Sequence, residues 1–322
     1  MKSRSPILGG KHGVANGCVT FELYRSFYAD DGAFLCESRE DILFGANLID
    51  KQFRRFGLAC HIGYDDKLSK TEALFIPYDF SKYEERDTSP LVIQGEKIGY
   101  VYFCKKFKYL GSLITSSLTD DDEIERRITA ASAAFASLRQ AVFTKRSISA
   151  YSKKNAYEGL ILSILLYGCE AWVLSSRLKL RLQSFHRRCV RSMSKVTILQ
   201  TWQSRISAES LEKKFGLKPI AWYVNYRRLV WAGKVMRMDF HSRLPRKLLT
   251  SWISHKRPMG RPKLTYSHYL KETLGLILDP AFIDKWKEEA LNETSWNKLL
   301  SHANLSIWSP EKEKKKIGRG KA

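Results

Sequence analysis

The stretch Arg25–Ser38, RSFYADDGAFLCES, places two aspartates side by side inside an otherwise apolar segment. Residues 19–27 alternate apolar and polar side chains, which is the period of a β-strand, and GAFLC follows the aspartates as a second strand. Asp-Asp-Gly between two apolar runs favours a tight hairpin turn. Adjacent carboxylates repel each other, so two interpretations stay open: an ordinary turn, or a metal site at the hairpin tip.

A helix is predicted directly after this hairpin. Ser38 and Asp41 have the spacing of a capping box, and apolar residues recur every three or four positions from Ile42 to Phe56. Gly57 stands where a helix C-cap is expected. Further strands are predicted in the segments LACHIG (58–63), TEALFIP (71–77), LVIQGEKIGYVYF (91–103) and FKYLGSLIT (107–115).

Beyond residue 115 the apolar pattern becomes helical. Helices are predicted from residue 120, over about 152–174 and over about 177–193, and together they form a small bundle. A further helix has Pro219 in its first turn. The arginines that the periodicity places on the outer faces of these helices are Arg187, Arg188, Arg191, Arg227 and Arg228.

The net charge is the strongest bulk signal of function. The 322 residues carry a formal charge of +22, which favours a polyanionic partner. Nucleic acid is the first candidate partner and a membrane surface the second. The alternative without a partner is that the charge only keeps the protein soluble. A hydrophobic content of 44% excludes a disordered polypeptide.

The six cysteines lie far apart, mostly in apolar surroundings, and none forms a CxxC pair, which predicts an intracellular, reduced protein. The expected location is the nucleus or the cytoplasm. His186 and Cys189 give one H-x-x-C, but no second pair has zinc-like spacing, so both are interpreted as helix-face residues. No signal peptide or transmembrane segment is predicted. The most apolar stretch, residues 159–174, is shorter than a membrane span and contains Glu170.

The order of these motifs resembles the reverse transcriptases of non-LTR (LINE-type) retrotransposons. Phe27-Tyr28-Ala29-Asp30-Asp31 resembles their signature box, and FRRFGLACHIG…LSKTEALF (53–75) resembles the palm segment after it. FKYLGSLIT resembles the primer-grip turn. The later matches are LLYGCEAW (165–172), FHRRCVRSM (185–193) and RRLVWAGKVMRM…RLP…RPMGRPK (227–263). The resemblance covers nearly the whole chain from about residue 13.

This resemblance implies an α+β fold. A partial palm, made of an antiparallel sheet with the YADD hairpin and a packed helix, is followed by a helical thumb and a helical C-terminal region. The implied domains are a truncated palm over 1–115, a thumb-like bundle over 116–195, a basic helical region over 196–310 and a disordered basic tail over 311–322.

The resemblance also implies RNA-directed DNA polymerisation, a two-metal nucleotidyl transfer that uses Mg²⁺. Asp30 and Asp31 would be the catalytic metal ligands. Lys70 would lie near the incoming triphosphate, with an ordinary surface lysine as the alternative. The residues implied to contact the nucleotide and the primer are Tyr28, Ala29, Tyr109, Leu110 and Gly111. For the last three, an ordinary β-turn is the alternative.

The chain departs from the family pattern upstream of the hairpin. No aspartate precedes Asp30, so the third palm carboxylate is missing, and HGVANGCVTFELY (12–24) joins the hairpin almost directly where a fingers region is expected. We therefore expect a truncated copy that is inactive by itself. The expected partners are RNA and DNA as template and primer, and no membrane.

Two further interpretations compete with the enzyme. One is a non-enzymatic nucleic-acid-binding protein that uses the basic helices and aromatic residues. The other is a self-associating scaffold built on the helices of residues 122–195. The loop RPMGRPK, with Arg261 and Lys263, resembles a minor-groove arm, although a plain basic loop fits as well. The lysine-rich run at 312–316 predicts a nuclear import signal or a solvated tail.

Overall fold

The structure is a computed structural model that describes residues 25–58, 60–63, 70–76, 89–94, 98–240, 243–250 and 265–308. The chain divides into two compact units. Residues 22–123 form the strand unit, and the residues from 124 onward form the helical unit. Several predictions lie outside the described residues: the strand before Arg25, the minor-groove arm with Arg261 and Lys263, and the tail from 311.

The strand unit begins with the predicted hairpin and helix. Strands β1 (Arg25–Tyr28) and β2 (Asp31–Phe34) pair antiparallel, with Tyr28 opposite Asp31. Helix α1 (Arg39–Arg55) starts at the N-cap Ser38, and Asp41 completes the capping box. The predicted α+β class and both local motifs are confirmed.

The remaining strands differ from the single antiparallel sheet that the sequence predicts. Strands β3 (Glu72–Leu74), β4 (Leu91–Gln94) and β5 (Ile98–Cys104) form one sheet in the order β3-β5-β4, and β3 runs parallel to β5. Strands β6 (Lys106–Tyr109) and β7 (Ser112–Thr115) form a separate hairpin. The described strands therefore make three separate sheets. In the three-stranded sheet, the central strand β5 pairs antiparallel with β4 on one side and parallel with β3 on the other.

The predicted LACHIG strand is wrong in its described residues, where only Gly63 makes an isolated bridge, to Tyr100. The His61 carbonyl instead accepts hydrogen bonds from the Thr71 hydroxyl at 3.0 Å and from the Lys70 and Thr71 amides at 3.3 Å. The core of the strand unit is small. Ala73, Leu91, Ile93 and Val101 are buried, and the first turns of α1 pack against them.

The apolar face predicted for α1 is covered only in part. Ile42 and Ala46 pack on the small core, whereas Phe53 is 36% exposed and Phe56 is 80% exposed. The periodicity identified the helix correctly but overestimated how much of its apolar stripe is buried.

The helical unit begins within the first turn of α2 (Asp121–Leu138), which continues into a π-helical turn over Arg139–Phe143. Next come α3 (Ala150–Ala156), a second π-helical turn (Tyr157–Leu162) and α4 (Ser163–Leu165). The helix predicted over 152–174 therefore ends nine residues early. Gly168 takes a positive φ of 74°, and the Cys169 amide donates to the Leu166 carbonyl at 3.2 Å, so the chain turns there.

Helix α5 (Ser176–Ser194) matches its prediction and carries the expected buried face. The helices that follow are α6 (Ile198–Gln203), α7 (Ala208–Phe215), α8 (Ile220–Met236), α9 (Leu244–Leu249), α10 (Tyr266–Leu274), α11 (Trp286–Leu291) and α12 (Glu293–His302). The sequence interpretation did not specify α6, α7, α9, α10 or α12. A 3₁₀ helix, Pro280–Lys285, precedes α11.

Two hydrophobic clusters hold this unit, and α8 contributes to both. Its first turns, through Ile220 and Val224, join the cluster that α2 to α5 form. Its later turns, through Leu229 and Val235, join the cluster that contains Trp296. None of the described helices is long and apolar enough to cross a membrane.

Candidate functional site

The hairpin tip is built by local sequence. Ala29 takes a positive φ of 52°, and Ala29 and Asp30 form a two-residue turn between the paired Tyr28 and Asp31. Such turns connect antiparallel strands with the correct twist. The strands are held by the rings of Phe27 and Phe34, whose centroids lie 5.4 Å apart in an edge-on contact.

Gly32 makes that ring contact possible. A Cβ at this position would lie 3.1 Å from the Phe27 ring and 3.2 Å from the Phe34 ring, which is tighter than ordinary side-chain contacts. The glycine of Asp-Asp-Gly is thus required by cross-strand packing. The turn itself is made by the two residues before Asp31.

The carboxylates of Asp30 and Asp31 are both exposed at this tip, next to the exposed ring of Tyr28. Hard carboxylate oxygens are the ligands that Mg²⁺ prefers. Among the described residues, however, no group of three or more Asp, Glu, His or Cys side chains is placed to hold a metal ion. In the part of the chain that the structure describes, the two aspartates thus stand as a pair without a third metal-ligating side chain, and their role as magnesium ligands stays a prediction.

The structure does not join Lys70 to the hairpin. The Lys70 backbone amide lies 3.3 Å from both the carbonyl and Nδ1 of His61, and its side chain is exposed. No hydrogen bond or ion pair links Lys70 to Asp30 or Asp31 in this described part of the chain. Its assigned role beside a triphosphate stays a prediction.

Tyr109, Leu110 and Gly111 form the turn of the β6–β7 hairpin. Leu110 and Gly111 take positive φ values of 47° and 80°, as in a type I′ turn. The Leu113 amide donates at 3.0 Å to Oε2 of the buried Glu123, which anchors the hairpin. The geometry fits the ordinary β-turn alternative, and the contact with a primer stays a prediction.

The basic face of α5 is present on the surface. Arg187 and Arg188 are exposed, and Arg191 is half-buried. Arg188 donates to the Ser132 hydroxyl at 3.2 Å, and its guanidinium carbon lies 5.5 Å from the Phe185 ring centroid. The other face of α5 is buried in the core of the helical unit, so these cations point away from it.

Arg228 corrects the sequence-based assignment on α8, because it lies in the core. It is fully buried, and its guanidinium donates to the Trp172 carbonyl at 2.7 Å and to the Thr273 hydroxyl at 3.3 Å. The Tyr269 ring lies 4.0 Å from the guanidinium carbon. These contacts leave no guanidinium on the surface for a phosphate.

Arg227 is also partly engaged inside the protein. It is half-buried and donates to the Leu166 carbonyl at 3.2 Å, in the turn that follows α4. Both arginines therefore donate to backbone carbonyls of the segment that follows α4, Arg227 to Leu166 and Arg228 to Trp172.

The two members of the H-x-x-C pair are buried on α5, as the helix-face interpretation predicts. His186 Nδ1 lies 2.9 Å from the Tyr157 hydroxyl, and His186 Nε2 lies 3.5 Å from Oε1 of the buried Glu212. Burial raises the pKa of the Cys189 thiol to about 12. Because a metal ligand or nucleophile is the thiolate, this cysteine is held in its inert form.

Sequence reasoning missed a group of lysines in the helical unit. Lys179 on α5 is buried, lies 3.9 Å from the Glu272 carboxylate and has its ammonium 4.6 Å from the Tyr269 ring centroid. Lys153 on α3 is also largely buried, and in the part of the chain that the structure describes no carboxylate pairs with it. The apolar periodicity could not predict that Lys153 and Lys179 are buried, because each of them lies in a basic stretch of the sequence beside other lysines or arginines.

Comparison with known proteins gives one informative relative. Over 196 residues the chain is 27% identical to a protein of Caenorhabditis elegans, and the alignment covers 59% of this chain and 68% of that one. That protein is described as transposon-derived. The present chain is similar to a transposon-derived protein. No protein-family model and no solved structure matches the chain.

Proposed function

We propose that this chain derives from the reverse transcriptase of a non-LTR retrotransposon and acts as a nucleic-acid-binding protein. The transposon-derived relative supports the origin, and the order of the motifs from the YADD hairpin onward supports the family. The observation that carries the binding function is the exposed arginine face of α5, held by a helix whose opposite face is core.

Binding by such a face is chiefly electrostatic. A protein that neutralises phosphates with Lys and Arg releases counterions, so its affinity falls steeply as salt rises. The formal charge of +22 makes this term large for the whole chain. Exposed aromatic side chains such as Trp202, which is 78% exposed, add surfaces on which bases can stack.

Polymerisation is not expected from these 322 residues alone. Two-metal transfer needs carboxylates that clamp both ions, and Asp30 and Asp31 supply only one adjacent pair. We propose that the hairpin is inherited from a polymerase palm and that nucleic-acid binding is the activity of the chain.

The first experiment separates the two activities. A primed RNA template is incubated with the purified chain, Mg²⁺ and deoxynucleotides, and binding of the same template is measured by fluorescence anisotropy in rising salt. We expect salt-sensitive binding without primer extension. Extension that is lost in Asp30→Ala would overturn the binding-only proposal and restore the enzyme.

The scaffold alternative is tested on the same preparation. Light scattering after size exclusion, at low and high salt, measures the oligomeric state. A salt-insensitive oligomer that fails to bind the template would favour self-association through the helices. A monomer that binds would favour the proposal.

A further inference from the structure

We propose that the exposed side of helix α1 is an interface between two copies of this chain, in which the two α1 helices pack antiparallel about a two-fold axis. The inference goes beyond the proposed function, because it concerns the strand unit and does not depend on nucleic-acid binding. The surface consists of five exposed residues of α1, called the seam below: Asp41, Phe44, Leu48, Lys51 and Arg55.

The seam has the spacing of a coiled-coil contact line. Its residues follow one another at intervals of three, four, three and four, so they lie in one row along the helix. Ile42 and Ala46, which pack on the core of the strand unit, lie on the opposite side of the helix. Helix α1 therefore has one side on the sheet and a second, heptad-spaced side that the described part of the strand unit leaves exposed.

The centre of the seam is apolar. Phe44 is 72% exposed and Leu48 is 44% exposed, and as residues i and i+4 they form one continuous patch. Single exposed apolar residues are normal on a protein surface, but a helix with apolar residues on two opposite sides is expected between two layers. The strand unit supplies one of these layers, the sheet that contains β4. A second helix packed on the seam would supply the other.

Gly45 flanks the centre of the seam, next to Phe44 and one turn before Leu48. A Cβ at this position would meet no atom within 4 Å, so packing inside the chain does not require a glycine there. Glycine is also the least favourable residue after proline in a helix interior. A helix that crosses α1 at this point could approach its backbone closely, which gives the glycine a physical reason.

The order of charges along the seam selects a second copy as the partner. Asp41 stands at the N-terminal end, and Lys51 and Arg55 stand at the C-terminal end, so an antiparallel copy presents the opposite charges in the same order. In this arrangement Phe44 packs against Leu48 of the second copy, and each Asp41 faces a Lys51. The end charges also suit the dipole of their own helix. The driving force therefore comes from burying the apolar pair, and the charges fix the orientation.

Nucleic acid is a poor occupant of this surface, because the strand unit is acidic. Residues 22–123 contain 19 acidic and 13 basic residues, a formal charge of −6, whereas the rest of the chain carries +28. A polyanion is attracted to the basic part of the chain and repelled by the acidic part. The seam, which carries both signs of charge around an apolar centre, fits protein better than phosphate.

The interface is tested by removing its apolar centre. Sedimentation velocity of the full chain is measured after nuclease treatment in about 0.5 M salt, so that nucleic acid cannot bridge two copies. A seam this short makes a weak dimer, and we expect a Kd of about 10–100 μM for the wild type. F44Q/L48Q should raise the Kd at least about tenfold. The matched control F56Q/L58Q, which removes apolar side chains that are 80% and 57% exposed and lie off the seam, should dimerise like the wild type.

The antiparallel orientation is tested by zero-length cross-linking of carboxylates to amines. Asp41 and Lys51 of one helix lie about 15 Å apart along its axis, too far for a direct amide bond. In the proposed dimer they meet across the interface, so a mixture of isotope-labelled and unlabelled chains should give a mixed Asp41–Lys51 cross-link. A parallel dimer would place Asp41 beside Asp41 and give no such product.

Charge reversal checks the same pair in solution. Lys51→Glu places a carboxylate opposite Asp41 of the second copy and should weaken the dimer about fivefold. The double variant D41K/K51E exchanges the two charges and should recover most of the affinity, because the pair is restored with its partners swapped. The double variant also loses the capping box at Ser38, so only the dimerisation constant is compared.

The outcomes separate this inference from the proposed function. A wild-type chain that stays monomeric up to about 200 μM overturns the interface and leaves nucleic-acid binding untouched. A dimer that F44Q/L48Q weakens no more than F56Q/L58Q places self-association elsewhere in the chain and also overturns it. A dimer without the mixed Asp41–Lys51 cross-link overturns the antiparallel pairing. Absence of RNA binding beside an intact dimer contradicts the proposed function alone.

Discussion

At the scale of single residues, two neighbouring arginines of helix α8 differ in burial and in the groups they bind. Arg227 and Arg228 are adjacent in the sequence and equally basic. Arg228 alone is fully buried, with its guanidinium bonded to Trp172 and Thr273. Periodicity could not foresee this, because the carbonyl that Arg228 satisfies lies 56 residues away in a turn that the sequence predicts as helix.

Arg228→Met should destabilise the helical unit without changing its surface. Methionine fills part of the volume but leaves the Trp172 carbonyl without its donor, which costs about 1–3 kcal/mol. Urea unfolding measures the change, with Arg187→Met on the exposed face of α5 as the control. Equal stabilities for the two variants would contradict the structural role assigned to Arg228.

At the scale of elements, the sequence predicts caps and turns that depend on neighbouring residues, but it does not predict pairing between strands far apart in the chain. The capping box of Ser38 and Asp41 and the turn at Leu110-Gly111 need only a few neighbouring residues, and both stand where the sequence places them. The parallel pairing of β3 with β5 depends on a partner some thirty residues away, and no short pattern encodes it. The aspartate hairpin was predictable for the same reason as the caps. Among the residues that the structure describes, no third metal-ligating side chain joins Asp30 and Asp31.

The crossing of α8 and α12 depends on one glycine. A Cβ at Gly233 would collide with the indole of the buried Trp296, whose Nε1 donates to the Leu229 carbonyl at 3.0 Å. Gly233→Ala should therefore force these helices apart and destabilise the protein by about 1–3 kcal/mol. Thermal unfolding monitored by circular dichroism measures the loss. Gly159→Ala, at a helical glycine with open space around it, is the control and should be neutral or stabilising.

At the scale of the whole molecule, buried cysteine thiols and tyrosine hydroxyls make the folded state less stable at alkaline pH. Burial raises the pKa of Cys169 and Cys189 from 9.0 to about 12 and that of Tyr266 and Tyr269 from 10.0 to about 12. Above pH 9 the unfolded chain loses these protons before the folded one does. Stability is therefore complete below about pH 9 and falls as the pH rises toward 12, by about 1.4 kcal/mol per pH unit for each group ionised only in the unfolded chain.

Denaturation at fixed urea across pH 8–11 should show this decline. In C169A/C189A the two most strongly shifted thiols are removed, so the decline between pH 9 and pH 11 should become shallower, while Cys104, whose pKa burial raises to about 11, keeps part of it. A decline of unchanged slope would show that the Cys169 and Cys189 thiols titrate alike in the folded and unfolded states.

Helix α8 has a consequence for how the helical unit comes apart. Its first turns belong to the cluster of α2 to α5, and its later turns belong to the cluster of Trp296. Neither cluster can melt without exposing one side of this shared helix, so the free energies of the two are coupled. The helical unit should behave as one cooperative foldon in native-state hydrogen exchange, with the slowest amides of both clusters opening together.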